Sequence, residues 1–168
     1  MKQWIAIYTK PRHEKKVLSQ FELKGIESYL PLIRQKHRWS DRMKWVEAPI
    51  FNSYIFAHVE LKDNLEVLQT RGVHNIVKFQ NKIAVIPDIQ ITNLRKMIEG
   101  GFDPYPSDYF AIGDEVEVTG GPLKGINGIV SRTDTPDRLI IKIDAIQHAV
   151  AVQIERKYLK SIKTNYVN

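Results

Sequence analysis

Residues Gly113 to Val130, GDEVEVTGGPLKGINGIV, restrict the fold of this chain more than any other stretch. Val116 and Val118 alternate with Glu115, Glu117 and Thr119, the period-2 pattern of a half-buried strand. Gly120-Gly121-Pro122 interrupts it. Gly125 and Gly128 then supply the close backbone approach or positive φ of a tight corner, before Ile129-Val130 resumes as a strand. Such a strand, corner and strand predict one edge of a small β-barrel. Leu139-Ile140-Ile141-Lys142-Ile143, Ala149 to Ile154 and the closing segment Arg156 to Ile162 bring the total to about five short strands, enough for a partly closed barrel.

A barrel of this kind needs about 55 residues, so most of a 168-residue chain is left to fold as a second domain. The sequence places the boundary in Gly100-Gly101-Phe102-Asp103-Pro104-Tyr105-Pro106-Ser107-Asp108, whose Gly, Pro and Asp content is that of a linker. The expected organisation is therefore a first domain over 1–99, a linker over 100–109 and a barrel over 110–168. Charge divides at the same place. Residues 1–99 hold 17 Lys and Arg against 10 Asp and Glu, a net +7, whereas residues 100–168 hold 8 against 9, a net −1. A basic domain joined to a neutral one fits a polyanion partner for the first and a protein partner for the second.

Cysteine is absent, which excludes disulfides and thiolate metal sites. No run reaches the ~18 apolar residues of a membrane helix, and the opening MKQWIAIYTKPRHEKK has too short an apolar core for a signal peptide. A cytoplasmic protein without membrane, metal or cofactor is expected.

In the first domain, Trp4-Ile5-Ala6-Ile7-Tyr8 reads as a strand. Thr9 is placed to cap a helix with Pro11 in its first turn, and Val17, Leu18 and Phe21 share that helix's apolar face over 12–24. Gly25 is its stop. Arg12, His13, Lys15 and Lys16 crowd the helix N-terminus against the macrodipole, an arrangement an anion such as phosphate would relieve. Ile26 to Ser40, carrying Pro31, and Lys44 to Ile50 read as a hairpin around the loop Ser40-Asp41-Arg42-Met43. Its cations Arg34, Lys36, His37, Arg38, Arg42 and Lys44 alternate with Trp39 and Trp45. That pattern suits either a nucleic-acid arm or a soluble exposed hairpin with a cross-strand Trp pair.

Phe51 to Val59 is the most apolar strand, with Phe51, Ser53, Ile55, Ala57 and Val59 on one face and Asn52, Tyr54, Phe56 and His58 on the other. Its aromatics are either covered by helices or presented to a partner. A short helix over Asp63 to Thr70, a turn at Arg71-Gly72, a strand over Asn75 to Phe79 and a helix after Pro87 with Ile91, Leu94, Met97 and Ile98 on one face complete an α+β sandwich with an antiparallel sheet.

The glycine-rich stretch, with Gly121, Leu123, Gly125 and Gly128, resembles the KOW motif, and taken with the first domain the whole chain resembles the NusG family. The carriers are Trp4 and Tyr8, the basic helix start at Lys10, His13 and Lys16, the block Glu47-x-Pro49-Ile50-Phe51-x-x-Tyr54-Ile55-Phe56, the run Thr70-Arg71-Gly72-Val73 and Val85-Ile86-Pro87. General NusG proteins usually show F-P-G-Y where this chain has Phe51-Asn52-Ser53-Tyr54. That departure points to a specialised, operon-restricted paralogue of the RfaH or UpxY type, with a housekeeping NusG as the alternative.

The resemblance implies an α+β protein with an NGN-like domain and an SH3-like KOW barrel. It implies a monomeric antitermination and elongation factor that binds the clamp helices of RNA polymerase without being an enzyme. Tyr8, Tyr54 and Phe56 would line the polymerase-binding hollow. Lys10, Arg12, His13, Lys16, Thr70 and Arg71 would face the non-template DNA strand, and the KOW domain would take a small-subunit ribosomal protein or a termination factor. A ribosome-associated KOW protein is a further alternative. An enzyme would have to rest on scattered pairs such as His37 with Asp41 or His13 with Glu14, and no catalytic motif accompanies them.

Overall fold

The computed structural model describes residues 1–107, 109, 113–131 and 137–162. Asp108 in the expected linker, 110–112 at the start of the expected barrel and 163–168 lie outside that set. The chain forms two compact units, Met1–Asp88 with Asp144–Ile146, and Ile89–Ile143 with Gln147–Asn168.

The first unit runs β1 (Gln3–Thr9), α1 (Glu14–Leu23), β2 (Glu27–Tyr29), β3 (Leu32–Arg38), β4 (Met43–Pro49), β5 (Tyr54–Val59), a 3-10 turn, α2 (Asn64–Leu68), β6 (Val73–Ile76), β7 (Lys78–Phe79), β8 (Lys82–Ile83) and β9 (Val85–Ile86). An antiparallel sheet is built around β1, in the order β2-β5-β1-β6 with β9 also on β1. Its alternation is that of a sheet covered on both faces. Ile5, Ile7, Ile55, Ala57 and Val59 form one core with Val17 and Phe21 of α1 and Val67 of α2. Trp4, Ala6, Tyr8, Tyr54, Phe56 and His58 alternate with them, so the two faces of the 54–59 strand are those the sequence predicts.

The boundaries differ in instructive ways. α1 starts at Glu14, not near Pro11, because Arg12 has φ +62°, a left-handed conformation that no α-helix accommodates. Thr9 is no cap: it is buried in β1, donating its N–H to Ser53 O at 2.8 Å, and His13 holds the N-cap position. The end of α1 is as expected, with Gly25 at φ +69° and the Ile26 N–H on Phe21 O.

The strand expected from Ile26 breaks at Leu30-Pro31, since Pro31 has no N–H for the ladder. Met43 joins β4, and the loop closes through Trp39 N–H to Arg42 O at 2.8 Å. Trp45 lies opposite Lys36 while Trp39 sits in the loop, so the two indoles are not cross-strand partners. Phe51 to Ser53, expected as strand, form a turn with Ser53 at φ +65°. The expected strand over 75–79 splits, because Gln80 and Asn81, both at positive φ, fold 78–83 into a tight hairpin of its own.

The second unit holds α3 (Asp88–Glu99) from its second residue onward, with Ile91, Leu94 and Met97 buried as predicted. β10 (Tyr105–Ser107), β11 (Asp114–Val118), β12 (Asn127–Ser131), β13 (Arg138–Ile143), β14 (His148–Gln153) and β15 (Leu159–Ser161) follow. They form one antiparallel sheet in the order β10-β14-β13-β12-β11-β15. Tyr105–Ser107 was expected as linker; Tyr105 pairs with Ala151 and Ser107 with Ala149, so part of that segment is the edge of the barrel sheet. Val116 and Val118 are buried, as their alternation predicts, and Leu139 to Ile141, Ile143 and Ala149 to Val152 are buried as near-continuous apolar runs.

Candidate functional site

Two surfaces of the first unit meet where β1 leaves the sheet. Lys10 N–H donates to Gly72 O at 2.8 Å, which pins the 70–73 turn beside the start of α1. Gly72, at φ +97°, packs so tightly there that a Cβ would lie 3.0 Å from Val17 Cγ2 and 3.3 Å from His13 Cβ. Gln20 reinforces the junction, donating from Nε2 to Arg71 O at 2.7 Å. The His13 ring N–H at Nδ1 donates to Pro11 O at 2.8 Å and orients the imidazole. Lys10, Arg12, Lys16 and Arg71 are thereby gathered as exposed cations, with His13 half-buried among them. His13 offers the helix no side-chain cap, so the first-turn N–H dipoles add to the field an anion would meet.

Thr70 does not belong to that surface. Its side chain is buried, donating to Glu66 O and accepting from Lys24 Nζ, both at 2.9 Å. Its part is to close α2, and a residue whose hydroxyl is spent internally cannot face DNA.

The second surface is aromatic. Pairing of Tyr8 with Tyr54 across β1 and β5 sets their rings 5.5 Å apart, and β6 brings the exposed His74 edge-on to Tyr8 at 5.4 Å. Tyr8 is 39% exposed and Tyr54 half-buried. Burial first, and Tyr8 second, push the Tyr54 hydroxyl above the usual phenol range, so it presents a neutral O–H. Phe56 is not part of the exposed group. It is fully buried, edge-on to Phe51 at 6.4 Å and stacked on Tyr29 at 6.5 Å, because the position opposite it on β1 is the small Ala6. His74 reaches Tyr8 only through strand pairing across 66 positions, which no local sequence pattern signals.

Glu14 and Ser53 join the two surfaces. The buried Glu14 carboxylate accepts the Ser53 N–H at 2.8 Å, while Ser53 O accepts from Thr9. A carboxylate in the first turn of a helix sits where the dipole favours it, and it holds Ser53 in its left-handed conformation.

In the second unit, Gly121 (φ +74°) and Gly125 (φ +88°) turn the corner, Leu123 is buried beneath it and Gly128 lies inside β12. Beside the corner, Phe102, Pro122, Leu123 and Tyr158 line a hollow of about 140 Å³ with Glu155 and Gln153 also at its wall. Among the described residues, no group of three or more His, Asp or Glu could hold a metal ion, and no helix is long and apolar enough to cross a membrane.

A family model described as transcription termination factor nusG matches residues 2–95. The chain belongs to the NusG family. No curated protein matches it. Among solved structures it is similar to Thermotoga maritima NusG, determined for its domain interaction, at 16% identity over 97% of this chain and 98% of that one, with a TM-score of 0.56. An MjSpt4:Spt5 complex in conformation A aligns at 17% identity over 96% and 99% of the two chains with a TM-score of 0.30.

Ser53, at φ +65°, holds a left-handed conformation that glycine adopts without steric cost. Ser53→Gly should therefore stabilise the chain by about 0.5–1 kcal/mol, the left-handed penalty less the added entropy of the unfolded glycine. Chemical denaturation would show a higher midpoint with an unchanged slope.

Proposed function

We propose that this chain is a transcription elongation and antitermination factor that docks on the clamp helices of RNA polymerase through Tyr8, Tyr54 and His74. Phe56 supports that face from within. Lys10, Arg12, His13, Lys16 and Arg71 run along the exposed non-template strand, and the factor raises processivity on a restricted set of operons, such as those for polysaccharide synthesis. The observation that carries this reading is the convergence of those five basic residues from β1, α1 and the 71–72 turn, within the segment that the family model matches. Ser53 in place of the usual glycine supports a specialised paralogue. The hollow at Phe102, Pro122, Leu123 and Tyr158 suits an apolar anchor of a ribosomal protein or termination factor.

The decisive measurement is Tyr8→Ala in the full chain. Because Tyr8 is the exposed member of the pair, its fold should be intact while polymerase affinity falls by about 2 kcal/mol, roughly thirtyfold. Unchanged affinity would reject the docking face. Co-sedimentation with ribosomal subunits in the absence of transcription would favour the ribosome-associated alternative, and chromosomal occupancy over most transcription units the housekeeping one.

A further inference from the structure

The β3-β4 ribbon is a separate two-stranded sheet that no strand of the larger sheets extends. Seven paired residues on each side, from Leu32 opposite Pro49 to Arg38 opposite Met43, give it a length of roughly 23 Å. It carries Arg34, Lys36, Arg38, Arg42 and Lys44 against Asp41 and Glu47. Alternation puts Arg34, Lys36 and Arg38 on one face, together with Trp45 and Met43, and His37 and Lys44 on the other. Among the described residues none of the five Lys and Arg side chains is in an ion pair. What they approach instead is indole: Arg34 and Lys36 lie 5.4 and 5.1 Å from the Trp45 ring centroid, and Lys44 lies 5.4 Å from that of Trp39.

Trp39 and Trp45 are 52% and 54% exposed, and Met43 57%. Half-exposed tryptophans on a ribbon without a core are costly unless something covers them. Unneutralised cations beside exposed aromatic rings are the two components of a stacking platform for unpaired bases, the cations taking phosphate and the rings taking the base faces. At its base the ribbon is tied to the helix that carries Lys16: Lys15, in the first turn of α1, donates from Nζ to Glu47 O at 2.7 Å.

We infer that the β3-β4 ribbon is a second nucleic-acid site, which binds single-stranded DNA by stacking a base on Trp45 while Arg34, Lys36 and Arg38, on the same face, neutralise its phosphates. Continuity with α1 through Lys15 commits the occupant to the same strand that the first site would take, and charge complementarity excludes an apolar peptide.

The test uses the full chain and oligothymidylate, without polymerase. Of the three tryptophans, Trp4 is buried, so quenching of the exposed indole emission reports on the ribbon alone. Oligothymidylate should quench it. Arg34→Ala/Lys36→Ala/Arg38→Ala should flatten the dependence of log affinity on log salt by about 2, at ~0.7 per lost contact. Trp45→Ala should weaken binding roughly five- to 150-fold. The variants lie on exposed positions, and far-ultraviolet circular dichroism checks that each folds. Lys10→Ala/Lys16→Ala/Arg71→Ala should leave the quenching amplitude at saturation unchanged, which separates this site from the first. Binding without quenching, an unaltered salt slope in the ribbon variant, or tighter binding of duplex than of single strand would each overturn the proposal.

Discussion

Phe56→Ala should cost the first unit about 3–5 kcal/mol. The ring is fully buried, and Phe51 and Tyr29 meet it from two directions, so neither can swing inward without abandoning the other contacts it makes. The opposite residue on β1 is Ala6, which has nothing to extend into the void. Against a total stability of about 5–15 kcal/mol, such a loss removes about a fifth or more. For a unit of this size each kcal/mol is worth about 4–8 °C in Tm, so calorimetry should show the first transition lowered by tens of degrees. Phe56→Leu, which keeps most of the volume, should cost about 1.5 kcal/mol or less. A normal Tm for Phe56→Ala would mean that the aromatic packing across β2, β5 and the 51–54 turn is not what holds this face together. The pairing of this variant with Tyr8→Ala is informative, because one should lose fold and the other only affinity.

Gly128→Val should cost the barrel about 3 kcal/mol, at the upper end of what overpacking usually exacts. Gly128 lies between β11 and β13, and a Cβ there would fall 2.7 Å from Ile140 O and 2.8 Å from Leu139 Cδ1. The leucine tip could rotate, but the carbonyl belongs to the ladder and cannot. The strands would have to part at the centre of the sheet. Gly125→Asn is the contrasting variant: its φ of +88° needs a residue tolerant of left-handed backbone, yet the space around it is open. Hydrogen exchange of the β12 and β13 amides should accelerate in Gly128→Val and stay close to normal in Gly125→Asn.

The barrel was legible because each glycine carries a distinct steric duty, and the alternating valines of β11 leave one register for that strand. The two faces of the 54–59 strand were legible for the same reason. What sequence could not supply was depth. Tyr54 and Phe56 stand two apart on one face and look equivalent, but their neighbours on β1 are Tyr8 and Ala6, and only that difference leaves one aromatic at the rim and encloses the other. Thr70 and Arg71 are likewise adjacent, and the Lys24 ammonium that engages Thr70 comes from 46 positions away. Local conformations dictated by partners were equally hidden: the left-handed Arg12 and Ser53 belong to residue types that seldom adopt it, and in each case the surrounding bonds decide.

The bonding of Ser53 has a consequence of another kind. Its N–H is held by the carboxylate at the head of α1 and its C=O by the amide at the end of β1, so the two peptide groups flanking one Cα rivet the helix that carries Lys16 to the strands that carry Tyr8 and Tyr54. A rivet transmits load. Any push on the aromatic rim reaches the cationic corner through two hydrogen bonds rather than through a flexible loop. A change at residue 14 or 53 would therefore alter how the two surfaces are set against each other.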